Sequence, residues 1–123
     1  MENKSIGDLV GQNLIKSRER VSQHGEVFTA LREVNAMLDL VKPETERIES
    51  RFLEPACGNG NFLAEILRRK LNILSTHFSR SRIDYEFNAI VAVGSIYGIE
   101  IQIDNVEECR ERLLGIFREE YIC

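Results

Sequence analysis

The chain predicts an α/β domain on an open sheet, and three observations carry that prediction. Arg51 to Leu67 reads as a short strand (Phe52, Leu53), a tight glycine turn (Gly58, Gly60) and an amphipathic helix. Ile99-Glu100-Ile101-Gln102-Ile103 alternates apolar and polar side chains as a strand does. Elsewhere apolar residues recur at helical spacing. The first stretch organises the rest. Its glycines allow positive φ and let another molecule approach the backbone closely. The helix behind them directs unpaired N–H groups and a positive dipole end at whatever sits in the turn. A strand–glycine turn–helix unit is thus a nucleotide- or cofactor-binding corner of an open α/β sheet.

Composition sets the bounds. A chain of 123 residues, 43% hydrophobic and 29% charged, has room for one domain. No window approaches 18 uninterrupted apolar residues, so no membrane span is expected. Met1-Glu2-Asn3-Lys4-Ser5 lacks the basic-then-apolar pattern of a secretory leader. The three cysteines (Cys57, Cys109, Cys123) are odd in number and without metal spacing. A reduced, cytoplasmic, metal-free protein is the expectation. The net charge of −4 argues against a phosphate-gripping surface. Lys16/Arg18/Arg20, Arg68/Arg69/Lys70 and Arg80/Arg82 read instead as solvated helix ends.

Taken in order, residues 4 to 22 carry Ile6, Leu9, Val10, Leu14 and Val21 at helical spacing, weakened by Gly7 and Gly11 and ended by His24-Gly25. Leu31, Val34, Met37, Leu38 and Val41 predict a helix over about 30–42, with Thr29 as N-cap and Pro43 as its stop. Glu44 to Ser50 is a polar connector. After the glycine turn, Asn61 caps a helix that buries Phe62, Ile66, Leu67 and Leu71 and leaves Glu65, Arg68 and Arg69 in water. Residues 75 to 82 read as a polar loop, and neither His24 nor His77 belongs to a catalytic constellation. Ile83 to Ile96 is ambiguous, since Ile90-Val91-Ala92-Val93 suits a strand. Tyr85, Ala89, Ala92, Val93 and Ile96 share one helical face, which favours a helix ended by Tyr97-Gly98. After the strand at 99–103, Asp104-Asn105-Val106-Glu107 resembles a capping box opening a helix through Cys109, Leu113, Leu114 and Phe117.

The turn's details narrow its ligand. No lysine follows Gly58 or Gly60, so this is not a phosphate loop. Leu63 stands where a dinucleotide fingerprint has its third glycine. Glu54 beside the turn repels a pyrophosphate but suits an ammonium. The nine residues Glu54-Pro55-Ala56-Cys57-Gly58-Asn59-Gly60-Asn61-Phe62 resemble the S-adenosylmethionine-binding motif of the adenine-specific DNA methyltransferases of restriction–modification systems. Phe28-Thr29-Ala30 resembles the Phe/Tyr-Thr-Pro segment that closes over the cofactor there, with Ala30 in place of proline. On residues alone it is equally an ordinary capped helix start. Gly98-Ile99-Glu100 resembles the family's Gly-Ile-Glu/Asp. An acid at the end of the strand beside such a turn accepts ribose hydroxyls, although Glu100 read alone is also a plain solvent-facing residue. The usual spacing for that acid is about 20 residues beyond the glycines. Here the extra helix lengthens it to 40 from Gly60.

The resemblance implies an incomplete Rossmann-like class I methyltransferase fold: an N-terminal helical segment over 1–25 and a cofactor-binding half over 26–123. It implies S-adenosylmethionine as cofactor, with Glu54 near the methionine ammonium and the Ala56–Gly60 backbone around its carboxylate and sulfonium. Pro55, Cys57 and Asn59 belong to that motif, and Phe62 serves both motif and core. Glu100 would hold the ribose, Ile101 the adenine face, and Phe28 and Thr29 the lid. The family's Asn/Asp/Ser-Pro-Pro-aromatic loop, which orients and stacks the flipped adenine, has no counterpart. Pro43 and Pro55 are the only prolines and are not adjacent. The chain alone is therefore expected to be inactive, and DNA is a partner only of a complete enzyme. A strand left unpaired at one edge of the sheet implies a homodimer or a separate chain carrying the catalytic half. The alternatives are a non-catalytic interaction module with an idle pocket, or a small-molecule methyltransferase, which would also need a substrate-side half.

Overall fold

Seven elements are described by the computed structural model, which covers residues 28–78 and 80–122. They are α1 (Leu31–Asp39), α2 (Lys42–Thr45), β1 (Phe52–Glu54), α3 (Asn61–His77), α4 (Arg82–Gly94), β2 (Ile96–Gly98) and α5 (Ile103–Ile122). The helix expected over 4–22, and with it the 1–25 segment, lies outside the described residues.

Helix α3 has a broad apolar face, wider than one neighbour can cover, with Arg68, Asn72, Ser75 and Thr76 exposed on its polar side. One side places Leu67, Leu71 and Leu74 against Ala89 and Ala92 of α4, Ile116 of α5 and Ile48. The other places Leu63 and Ile66 against Val34 and Leu38 of α1 and Cys109 of α5. Both strands also reach it, through Phe52 and Ile96. The strands run parallel, in the register Phe52↔Ile96, Leu53↔Tyr97, Glu54↔Gly98, joined by a crossover through α3 and α4. Successive side chains alternate between sheet faces. Phe52 and Ile96 therefore turn to the core, while Leu53 (64% exposed) and Tyr97 (50%) look the other way. The described residues are mixed α/β, mostly helical, with a two-stranded parallel sheet.

Several expectations are corrected. The second strand is Ile96–Gly98, not 99–103, and Tyr97-Gly98 continues the sheet rather than ending a helix. Three-residue β1 offers partners only that far. Beyond it, Ile99 exchanges hydrogen bonds with the Glu54 carbonyl and the Cys57 N–H, 3.0 Å each. Glu100 Oε1 then accepts from the Gln102 N–H (2.9 Å) and bends the chain, so α5 starts at Ile103, before Asp104. The isoleucine alternation marks exposed side chains, not a strand. Thr29 does not cap α1; Ala30 holds that position without a side-chain bond, and α1 ends at Asp39. Pro43 does not stop a helix but opens α2, where its missing N–H costs nothing. Asn61 is the first residue of α3 and not its cap, a place held by Gly60. Residues 75–77 extend α3: the Ser75 and Thr76 hydroxyls bond back to the carbonyls of Asn72 and Ile73. Ser81 caps α4 by accepting from the Asp84 N–H, 3.3 Å. Val93 and Leu114 are exposed, and Ile116 takes the buried place on α5.

Lys70 is the largest departure. Read in sequence as part of a solvated basic cluster, it is fully buried. Its ammonium donates to the Ile48 carbonyl (3.0 Å), the Ser50 carbonyl and Ser95 Oγ (2.6 Å), and lies 5.2 Å above the Phe52 ring. It thereby ties together the residues that lead into both strands. Burial pushes Lys70 down from 10.5 to about 8, against the pull of Glu49 and Glu44. Between those pH values the unfolded chain holds a proton that the folded chain does not. Raising the pH through that window therefore stabilises the fold. Urea unfolding at a series of pH values is expected to show wild type gaining stability relative to Lys70→Met from pH 8 to 10.5. A pH-independent difference would contradict this. At neutral pH the variant should lose about 1–3 kcal/mol, since it strands three acceptors.

Candidate functional site

Strand β1 delivers Glu54 to the start of the glycine turn. Glu54 Oε1 accepts from the Ala56 N–H (3.1 Å), fixing the carboxylate over its own turn. Gly58 and Gly60 both take positive φ, +56° and +92°. The closing bond runs from the Gly60 N–H to the Cys57 carbonyl, 3.0 Å. Because Glu54 pairs with Gly98, and Glu100 follows two residues later, both carboxylates and the turn gather at the carboxyl ends of adjacent parallel strands.

Four side chains fasten the turn to the rest of the molecule. Arg112 of α5 donates to the Asn59 carbonyl (3.0 Å) and to Asn61 Oδ1 (2.8 Å). Asn59 Nδ2 donates to Glu108 Oε1, 3.1 Å. Asn61 Nδ2 donates to the Thr29 carbonyl (2.9 Å), holding the 28–29 segment against the turn. The Phe28 ring lies on Gly58 so closely that a Cβ there would come within 2.8 Å of it. At Gly60 a Cβ would meet Cys109 Sγ at 2.6 Å, and at Gly98 it would meet Leu63 and Cys57. The glycines are thus required by the protein's own packing as well as by the turn. Burial raises both thiols: Cys57, with Cys109 and Glu100 adding to the effect, is pushed up to about 11, and Cys109 is raised too. Both are neutral at neutral pH.

The hydrogen-bond inventory defines what a ligand would meet. The N–H groups of Ala56, Cys57 and Gly60 are engaged internally, so less of the Ala56–Gly60 backbone is available than the sequence implied. Those of Gly58 and Asn59 bond none of the described residues. Asn59 Oδ1 is buried without a partner among the described residues. Glu54 and Glu100 each commit one oxygen to a local N–H and keep the other. Two carboxylate oxygens and the Gly58 and Asn59 N–H groups thus stay unengaged among the described residues, beside one buried amide oxygen.

Of the residues singled out in sequence, Phe28, Thr29, Glu54, Cys57, Gly58, Asn59, Gly60 and Glu100 come together here. Pro55 and Ala56 form the exposed outer rim. Ile101 stands 81% exposed beyond the strand end. Phe62 is elsewhere. It faces a cavity of about 180 Å³ between α1 and α3, beside β1, with Met37, Val41, Leu53 and Ile66. Glu108 and Arg112 went unnoticed in sequence; their i, i+4 spacing around Cys109 was the only local signal.

No family model, no curated protein and no solved structure matches this chain.

Gly60→Ala is expected to destabilise the protein by about 1–3 kcal/mol, from positive φ and the clash with Cys109. Gly94→Ala, at a helical site with open space around its Cβ, should be neutral or stabilising by up to about 1 kcal/mol. Thermal denaturation of the pair tests this, and equal shifts would refute it.

Proposed function

We propose that this chain is the S-adenosylmethionine-binding part of an N6-adenine DNA methyltransferase and does not turn over by itself. The observation that carries the proposal is the meeting of Glu54, the glycine turn and Glu100 at the carboxyl ends of two parallel strands. Open α/β sheets take their ligands in that crevice. The free oxygen of Glu54 would accept from the methionine ammonium, with Asn59 Oδ1 as a second acceptor. The Gly58 and Asn59 N–H groups would donate to the methionine carboxylate. Glu100 would accept the ribose hydroxyls, Ile101 would cover the adenine, and the Phe28–Thr29 segment would lie over the turn. The cofactor supplies an electrophilic methyl group; these residues bind and orient it. Stacking and orienting the target adenine falls to residues that this sequence does not contain.

The same reading assigns a partner. The main-chain N–H and C=O of Leu53 point away from β2 and bond none of the described residues, so among these residues that edge has no neighbouring strand. A separate chain carrying the catalytic half would pair there, and DNA would bind only the joined enzyme. A homodimer is the alternative. The setting is the reducing cytoplasm. Among the described residues no helix is long and apolar enough to cross a membrane.

One observation favours a second reading, an interaction module with an idle pocket: Phe28 already fills the space over Gly58, and three of the turn's N–H groups are spent internally.

Calorimetric titration with S-adenosylmethionine separates the two. Binding is expected, weakened about 10-fold or more in Glu100→Ala, as for loss of a charged acceptor. Absence of heat with wild type would overturn the cofactor reading and leave the interaction module. Light scattering at high concentration distinguishes a homodimer from a monomer awaiting a separate chain.

A further inference from the structure

Two thiols meet beneath the glycine turn. Cys57 closes the approach from β1 to α3, and Cys109 lies nearly two turns into α5. Cys57 packs against the apolar cluster that contains Cys109, Leu63 and Ile66. The two thiols lie close enough to affect one another's ionisation, and neither is in a disulfide; the Cys57 thiol donates to the Gly58 carbonyl at 3.7 Å. Glycine backbone confines both. A Cβ on Gly98 would come within 2.9 Å of Cys57 Sγ, and one on Gly60 within 2.6 Å of Cys109 Sγ. Nothing in the proposed cofactor chemistry uses either thiol.

We propose that Cys57 and Cys109 form an oxidisable dithiol, a modification site at which a disulfide joins the glycine turn to α5. The oxidant is a low-molecular-weight disulfide, with oxidised glutathione as the probe. Cys57 is half-buried and Cys109 buried, so Cys57 reacts first. Its thiol loses a proton and attacks one glutathione sulfur, breaking the glutathione S–S bond and releasing one glutathione thiolate. Cys109 then loses its proton and attacks the Cys57 sulfur of the mixed disulfide. The protein S–S bond forms and the second glutathione leaves. The protein gives up two electrons and two protons, and the oxidant takes up both. Because both thiols are held protonated at neutral pH, the reaction is slower than at an exposed cysteine. The bond closes a loop running through α3, α4 and β2, which restricts the unfolded chain and fixes the turn.

The test uses the full chain carrying Cys123→Ser, so that only the two thiols in question react. After incubation with oxidised glutathione near pH 8 and trapping with an alkylating reagent, intact mass should fall by about 2 Da with no alkyl group added. Peptide mapping should link Cys57 to Cys109, and Tm should rise by about 10 °C, reversibly with dithiothreitol. Cys109→Ser should stop instead at a glutathione adduct on Cys57. Two alkylated thiols, or a stable glutathione adduct on the two-cysteine protein, would overturn the proposal. The main measurement needs no further variant and no cofactor, so its failure is separate from failure of the methyltransferase reading.

Discussion

Enclosure of α3 is the constraint on which the rest of this structure depends. A helix with Leu63, Ala64, Ile66, Leu67, Leu71 and Leu74 all buried has an apolar face too wide for one neighbour to cover. Three helices gather around it, each contributing two buried apolar side chains, and the two strands add the partly buried Phe52 and Ile96. Full burial of a Leu or Ile side chain is worth about 1.5–3 kcal/mol, so the stability of the domain is concentrated along this helix. Its first residue also ends the glycine turn, which means that core and candidate site share one rigid body.

That sharing explains the polar network. A turn holding two residues at positive φ persists only if its surroundings fix it. Arg112 and Glu108 do so from α5, Asn61 from α3 and Phe28 from the segment before α1. Lys70 performs the equivalent task at the opposite ends of the strands, where its ammonium collects the Ile48 and Ser50 carbonyls and the Ser95 hydroxyl. A buried ammonium is tolerated there because its three donors are all matched. The short sheet is therefore pinned at both ends by side chains that reach it from helices.

The sheet is unusual in what it leaves open. Parallel strands are ordinarily covered on both faces. Here α3 covers one, while Leu53 and Tyr97 remain half or more exposed on the other, and the Leu53 edge has no partner among the described residues. The groove holding Phe62 lies along that edge. The exposed face and edge are what the proposed second polypeptide would cover.

Sequence by itself determined the short strand at Phe52 and Leu53, the glycine turn, the long helix after it and the helical reading of the following segment. Those features rest on local chemistry: glycine's access to positive φ, and apolar periodicity matched to burial against whatever neighbour arrives. It also marked Glu54 and Glu100, which do reach the same end of the sheet. Tertiary structure decided the position of the second strand, because the ladder can extend only as far as three-residue β1 offers partners. It decided that Lys70 is core, since three acceptors on distant segments converge where a lysine would otherwise meet water. It placed Phe62 in a groove rather than in the turn, and it recruited Glu108 and Arg112 from some 50 residues away. Such contacts depend on which surfaces meet after α3 is enclosed, and no local pattern encodes that.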